Sequence, residues 1–424
     1  MPEVQKNILD KFEKIDSLLY IRKGDTSLYH TIFSIRTKYC VQFELLKHQK
    51  KTGLYLYLKK IITTGILLFT YPFIETKILN QSEVVILEGY ARFDNVLSQK
   101  LDIPILKTKK SISFIGIQSR LHSLCLALSH LWKILFLKLD IKGIIYCTPD
   151  IINFWYYYKT ISFTKVRVII GEDDISPVPY AFLLNAQKNN IIRVKIEYVQ
   201  IDSIVHNNVF ADYYFYPTTY HLKIRKKSDF NSHLKYVEGG YLVPRKVITD
   251  LEIKNKKNVI TITYFTSHGK VFKNTDDFYI NEILSVMPDE SILNIKIHPL
   301  DKNNYNIFKS DNRVKIFAYE QIENYQLIAN SHMCFSIFSM MSFEAKETCE
   351  KSFFINYNIE DSTYKDDYDF INNFFDIIID KKSLCNVFHK NYHPVDITTF
   401  KNNVNITGAE TFKIFHNFIN SLLQ

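Results

Sequence analysis

In the second half of the chain, short apolar runs alternate with stretches of helical period, and this alternation predicts a parallel α/β sheet. The predicted strands are Val259 to Phe265, Ile292 to Ile297, Val314 to Phe317, the run Met333 to Ser339, and Ser352 to Asn356. Helical spacing falls between them, over Ile322 to Ala329 and Phe343 to Cys349. In such sheets ligands sit beyond the carboxyl ends of the strands. The polar groups met there are Ser267 in the turn Thr266-Ser267-His268-Gly269, then His298 with Pro299, Glu320, Ser336 and Ser339.

A second alternating pattern begins near Ser111. A strand is expected at Ser113 to Ile117, running into Gln118-Ser119-Arg120 and a helix from Leu121 to about Leu139. A strand at Gly143 to Cys147, a helix at Asn153 to Lys159 and a strand at Lys165 to Ile170 follow. The last leads into Gly171-Glu172-Asp173-Asp174. Turn formers at Glu238-Gly239-Gly240 and Pro244, with a charged stretch from Lys254, mark a hinge over 236–255. The segment Gly408 to Leu423 has helical spacing and is free to cross back onto the first domain. Residues 1–110 hold a polar helix-like start, the apolar stretch Ile61 to Ile74 and a strand at Val84 to Tyr90. The expected organisation is an N-terminal extension of unassigned role (1–110), a first α/β domain (111–245) and a second (255–424). No internal repeat, heptad run or low-complexity block interrupts it.

A chain of 424 residues is long for one core. With 46% hydrophobic residues it is expected to fold throughout. The formal net charge of +9 fits an anionic partner and fits equally a basic solvated surface. The six cysteines are scattered without metal-ligand spacing, as core thiols in a reducing compartment are. The polar start Met1-Pro2-Glu3-Val4 carries no signal peptide, so a cytoplasmic protein is expected. Ile61 to Ile74 is shorter than the roughly 20 residues of a spanning helix. It reads as a buried strand or helix, with peripheral contact at the inner face of the cell membrane as the alternative.

Each chemical group has a bland counterpart. The carboxylates Glu172, Asp173 and Asp174 repel one another, which raises a pKa and can make a general base; equally they can be a solvated turn before Pro177. His298 is held by Pro299 just past a strand, where it can bind a phosphate or protonate a leaving group, although a lone histidine is more often structural. Ser336, Ser339 and Ser342 precede or open a helix, where hydroxyls and free N–H groups favour a phosphate, or simply cap. Glu320 can hold ribose hydroxyls or sit in a first helical turn. The Asp-x-Asp within Asp366 to Asp369 is short enough to arise by chance, and no metal site is assigned.

The order of these groups resembles bacterial sialyltransferases of the GT-B fold, in particular the lipooligosaccharide sialyltransferase and capsule polysialyltransferase families. Gln118-Ser119-Arg120-Leu121-His122 is similar to their Gln/Asn-Ser-Pro-Leu turn, and Glu172-Asp173 to their acidic Glu/Asp-Asp-Gly motif. His298-Pro299 matches their His-Pro motif, Glu320 the acidic residue on the ribose, and Ser336 or Ser339 the serine pair on the donor phosphate. Asp174 stands where the motif has glycine, and Ile337-Phe338 separate serines that are adjacent in the family. The resemblance covers about residues 111–424.

It implies a GT-B-like fold, two Rossmann-like domains facing across a cleft, and inverting transfer of sialic acid from CMP-sialic acid to a lipooligosaccharide or capsule acceptor without a metal cofactor. Glu172 or Asp173 would be the base and His298 the group on the departing phosphate. Ser267, Pro299, Glu320, Ser336 and Ser339 would bind the nucleotide, and Gln118 and Ser119 would contact acceptor or donor sugar. Polyol-phosphate polymerases of the teichoic-acid type also resemble the second domain, through Val243-Pro244-Arg245 and the His-Pro, and would use CDP-glycerol or a similar donor. A non-catalytic anion- or nucleic-acid-binding protein is a rival of another class. Dispersed basic residues, without aromatic-interleaved basic runs, argue against nucleic acid as a partner.

Overall fold

The computed structural model describes residues 2–21, 25–48, 53–79, 82–88, 91–171, 176–197, 210–218, 221–222, 233–240, 242, 259–267, 273–299, 301, 303–337, 340–346, 349, 351–355, 376–378, 380–389, 391–394 and 409–424. The chain divides into two compact units, Met1–Pro244 with Ala409–Gln424, and Arg245–Gly408.

The first unit begins with helices α1 (Pro2–Ile21) and α2 (Thr26–Thr37), the latter continuing through a π-helical turn, Lys38–Gln42, into α3 (Phe43–His48). Helix α4 (Leu54–Thr70) follows, then a 3-10 turn at Tyr71–Phe73. Next come β1 (Ile74–Ile78), β2 (Val84–Ile86), α5 (Ala91–Leu101), β3 (Thr108–Ile112), α6 (Ile117–Leu135) and α7 (Ile141–Thr160). The unit continues with β4 (Val168–Gly171), α8 (Pro177–Lys188), β5 (Ile192–Lys195), β6 (Tyr213–Tyr216) and β7 (Lys235–Glu238).

Strands β2-β4-β5-β6-β7 form one sheet, parallel throughout. On the other side of β2, Ile105 bridges Ile86 in parallel, so the chain's progress across the sheet reverses at β2. Such a reversal is a topological switch point. Both faces are buried, as parallel sheets require. Val84, Ile86, Val168 and Ile170 face a core shared with Leu97 of α5 and with Phe412, Phe415 and Ile419 of the terminal helix, Ala409–Leu423. Val85, Leu87 and Ile169 face the core of the helical layer. Strand β2 and the terminal helix therefore both lie with this sheet, outside the span 111–245.

Two sequence expectations are overturned here. Gly143 to Cys147 is no strand; it lies in α7, capped where the Asp140 carboxylate accepts from the Lys142 N–H at 2.9 Å. A five-residue apolar run fits a buried strand or a buried helix equally. Because α7 packs against α2, α4, α6 and α8, it lacks the polar stripe that would have marked it as helical. Ser113 to Ile117 is not a strand either. Strand β3 ends at Ile112 and pairs antiparallel with β1, outside the parallel sheet. Gly116 then adopts φ 77°, and the Arg120 guanidinium closes the turn by donating to the carbonyls of Pro72 (2.8 Å), Ser113 (2.6 Å) and Ile115 (2.8 Å).

Gly143 lets α7 approach the α2–α3 helix closely: a Cβ there would lie 2.6 Å from Tyr39 Cε2 and 3.1 Å from Phe43 Cδ1. Alanine is the better helix former by about 1 kcal/mol, but overpacking a core costs about 1–3 kcal/mol. Gly143→Ala is therefore expected to lower stability in urea unfolding. An unchanged midpoint would mean that Tyr39 swings aside freely.

The second unit comprises β8 (Thr261–Phe265), α9 (Lys273–Val286), β9 (Ile292–Lys296), β10 (Val314–Phe317), α10 (Asn324–Ala329), β11 (Met333–Ile337), α11 (Met340–Lys346), β12 (Lys351–Ile355), β13 (Asp376–Ile378) and α12 (Lys381–Val387). Its sheet is again parallel, in the order β10-β9-β8-β11-β12-β13. Numbered from its own first strand this is 3-2-1-4-5-6, the doubly wound dinucleotide-fold order. One face packs Ile262, Tyr264, Phe335 and Phe353 on Ile280 and Ile283 of α9 and Leu384 of α12. The other packs Phe265 and Cys334 on Ile328 of α10 and Ala345 of α11. The chain thus holds two Rossmann-like α/β units, as the resemblance to GT-B enzymes implies. Among the described residues, no helix is long and apolar enough to cross a membrane.

Candidate functional site

In the second sheet the switch point lies between β8 and β11, and the residues just past these strands meet there. The Ser267 hydroxyl donates to the Ile337 carbonyl at 3.4 Å, joining the two strand ends. The Ser267 N–H donates to Asp276 Oδ2 at 3.3 Å.

Beside it, a closed set of hydrogen bonds builds the His298-Pro299 turn. The His298 N–H donates to Thr266 Oγ1 (3.0 Å), Thr266 Oγ1 donates to Asp301 Oδ2 (2.8 Å), and the Asp301 N–H donates to the His298 carbonyl (2.9 Å). Pro299 contributes no donor and restricts the backbone in the middle of this turn. The His298 side chain is half-buried and Pro299 is exposed.

Beneath the turn, Asp276 accepts from the Tyr264 hydroxyl at 2.8 Å, while the Tyr305 hydroxyl lies 3.2 Å from Asp276 Oδ2 and 2.7 Å from Asp301 Oδ2. One phenolic proton cannot serve two ionised carboxylates. Burial pushes Asp276 up to about 7, and the neighbouring Asp301 charge adds to the rise. The Tyr264 hydroxyl is held well above its ordinary range, first by burial and then by Asp276.

Glu320 is exposed in the turn after β10, and Lys296 holds that turn in place. This lysine ends β9, is almost fully buried, and donates from Nζ to the carbonyls of Ala318 (2.9 Å), Tyr319 (2.6 Å) and Ile322 (2.7 Å). Burial lowers its pKa. Lys296→Met keeps the length but leaves three carbonyls without their donor, at a cost of about 1–3 kcal/mol. On the reading in which Glu320 holds the donor, its KM should rise with little change in kcat. A kcat loss at constant KM would remove Lys296 from donor positioning.

Ser336 lies within β11 and not beyond it. Its hydroxyl is fully buried and bonds to the Ser342 hydroxyl; the Ser352 hydroxyl donates to the Ser342 carbonyl at 3.0 Å. These serines stitch β11, α11 and β12 together inside the fold. Ser339 lies outside the described residues, between β11 and α11.

In the first sheet, Gly171 ends β4 immediately before Glu172 and Asp173, which also lie outside the described residues. The Ile196 N–H donates to the Gly171 carbonyl at 3.0 Å. At the end of β5, buried Lys195 and Glu197 form an ion pair at 4.0 Å. After β6, buried Thr218 Oγ1 and His221 Nδ1 share a hydrogen bond of 2.6 Å. Gln118 and Ser119 are exposed in the first turn of α6. They follow the antiparallel β1–β3 pair in the chain, and not a strand of the parallel sheet.

Sequence reasoning missed Lys296, Asp301, Tyr305, Lys195, Glu197 and His221. The signal for the lysines was a charged residue closing an apolar strand, Ile292 to Lys296 and Ile192 to Lys195, where a solvated charge would break the pattern.

No family model matches the chain, and neither does any curated protein. Among solved structures it is similar to the pneumococcal O-GlcNAc transferase GtfA in complex with UDP and GlcNAc, at 8% identity and TM-score 0.41, over 61% of this chain and 57% of that one. It is also similar to the wall teichoic acid polymerase TagF, at 11% identity and TM-score 0.42, over 88% of this chain and 97% of that one. The chain thus spans little more than half the length of the first.

Proposed function

We propose that the chain is an inverting, metal-independent glycosyltransferase that moves sialic acid from CMP-sialic acid to a hydroxyl of a cell-surface glycan, working peripherally at the inner face of a membrane. The observation that carries the reading is the 3-2-1-4-5-6 order of the second sheet. Sheets of that order bind nucleotides in the crevice at the carboxyl ends of their strands. Ser267, His298 and Glu320 belong to the loops of that edge.

Glu172, or Asp173 beside it, takes the proton of the acceptor hydroxyl as its oxygen attacks the anomeric carbon. The bond from that carbon to the phosphate of CMP breaks, and His298 stabilises or protonates the departing phosphate. Ser267, at the switch point, and Ser339, which follows β11 in the chain, share the phosphate, while Glu320 holds the ribose. The order of these groups along the chain, together with their resemblance to the sialyltransferase motifs, supports CMP-sialic acid as the donor.

Thermal unfolding of the full chain with CMP, CDP, UDP or GDP, each with and without EDTA, tests the reading. A ligand at 100 times its Kd adds about 2.7 kcal/mol to the folded state. A rise in Tm with CMP that survives EDTA is expected. Preference for CDP, with turnover of CDP-glycerol, would transfer the site to polyol-phosphate chemistry. Preference for UDP or GDP would overturn the donor, and no response to any nucleotide would overturn the site.

A further inference from the structure

Helix α4 presents its more apolar face outward. Leu54, Leu58, Ile61, Ile62, Ile66 and Phe69 recur at helical spacing and are exposed, Ile62 at 61% and Phe69 at 82%. No residue of the helix is fully buried. Its other side packs Leu56, Tyr57, Leu67 and Leu68 against the helical core and also carries Lys60, Thr63 and Thr64: the Lys60 ammonium sits 4.5 Å from the Tyr146 ring centroid, and the threonine hydroxyls donate back to the helix carbonyls of Lys59 and Lys60. An ordinary surface helix turns its apolar stripe to the core. The expectation that Ile61 to Ile74 is a buried strand or helix therefore holds for Tyr71, Pro72 and the inner side with Leu67 and Leu68, and is corrected for Ile61, Ile62, Ile66 and Phe69, which face outward.

The apolar surface continues beyond α4. The 3-10 turn Tyr71–Phe73 packs against both α4 and α6, and both helices also pack on α7. Phe73 meets Phe114 edge-on at 6.0 Å, in the turn where Ile115 is 84% exposed. On α6, Leu128, Trp132 (65% exposed) and Phe136 are also outward, and Trp132 packs edge-on against Phe136 at 5.2 Å. Large exposed apolar side chains grouped in this way mark an interaction site.

Charge indicates what covers it. No Asp or Glu lies between Glu44 and Glu75, nor between Asp102 and Asp140. The exposed lysines of these stretches include Lys59, Lys107 and Lys109, whereas Lys60 and Lys110 lie over the rings of Tyr146 and of Tyr71 and Tyr157, and Lys133 is 3.5 Å from Asp25. In a symmetric dimer the same patch meets itself, which would set these lysines against their own copies. An anionic lipid surface takes both the apolar side chains and the positive rim.

We infer that α4, the turn at 113–116 and the outer face of α6 form a docking surface for an anionic lipid bilayer, with α4 lying in the plane of the interface. The inference rests on the peripheral membrane placement in the proposed function and deepens it, naming the surface that docks and the lipid charge that it takes.

The two tryptophans make the test direct, since Trp132 is exposed on the patch and Trp155 is buried in the helical layer. The full chain is mixed with vesicles of phosphatidylcholine alone or of phosphatidylcholine with phosphatidylglycerol. Expected are sedimentation with the phosphatidylglycerol vesicles, at about tenfold or greater preference, its loss in high salt, and a blue shift of Trp132 emission. The exposed pair Ile62→Ser and Ile66→Ser should reduce vesicle binding about tenfold with the melting curve unchanged. Failure to sediment with phosphatidylglycerol vesicles, or sedimentation indifferent to the double substitution, overturns the inference. So does a concentration-dependent dimer in light scattering that the same substitutions abolish, which assigns the face to a second copy. Stabilisation by CMP is read separately, so loss of either result leaves the other interpretable.

Discussion

Glu172→Gln is expected to lower turnover by about 10²–10⁴-fold, the usual contribution of a positioned general base. Glutamine keeps the shape and cannot take the acceptor proton. On the proposed reading Glu172 acts on the acceptor, so stabilisation by CMP should be unchanged while initial rates with CMP-sialic acid collapse. If the loss falls on Asp173→Asn instead, the base is the neighbouring carboxylate. His298→Ala should cost a similar factor, because the departing phosphate loses its proton donor. The truncation leaves the turn in place, since His298 is bonded there through its own N–H to Thr266 and its own carbonyl to the Asp301 N–H. Its melting curve should therefore follow the unaltered protein. Near-normal activity in both the Glu172 and His298 variants would remove this mechanism.

The second large effect is on stability against pH. Asp276 is pushed from 3.8 to about 7 in the folded protein, chiefly by burial. Below pH 4 both folded and unfolded chains hold this proton. Between pH 4 and 7 the unfolded chain has released it and the folded chain has not, so stability falls as the pH rises through that window. Above pH 7 the full loss, up to about 4 kcal/mol, is in place. Asp276→Asn cannot titrate and should flatten this slope. The amide also places a donor opposite the Ser267 N–H or, flipped, withdraws the acceptor from the Tyr264 hydroxyl, which adds a penalty that does not vary with pH. Urea unfolding at pH 5 and pH 8 separates the two: the difference between variant and unaltered protein should shift in favour of the variant at the higher pH. A pH-independent difference would mean that Asp276 is ionised throughout.

Much of the second unit is legible in its apolar pattern. Strands β8 to β12 fall within two residues of their predicted bounds, because buried parallel strands are short apolar runs and the turns between them are polar. Their order in the sheet is not legible in this way. The reversal that sets β8 beside both β9 and β11 is a pairing of distant segments, and no local pattern records it.

The first unit is harder to read for a related reason. Its helix α7 is covered on several sides, so the period that identifies a helix is missing from Gly143 to Cys147. Strands such as β7, with Lys235 and Glu238 exposed at its ends, lack the apolar run that would have revealed them. At the site, His298-Pro299 and the Ser267 turn can be picked out as polar groups after strands. Lys296 shows only as a charge closing an apolar strand, and Asp276 and Tyr305 do not stand after a strand at all; the significance of all three lies in bonds to residues up to 29 positions away.

The sequence by itself therefore determined the class of fold and the positions along the chain where polar chemistry follows buried strands, because both depend on local alternation of apolar and polar residues. The tertiary structure alone decided the strand order, the burial of Ser336, the clamp of Lys296 on the Glu320 turn and the outward face of α4. Each depends on which surfaces meet, and that is set by packing between segments that are remote in the chain.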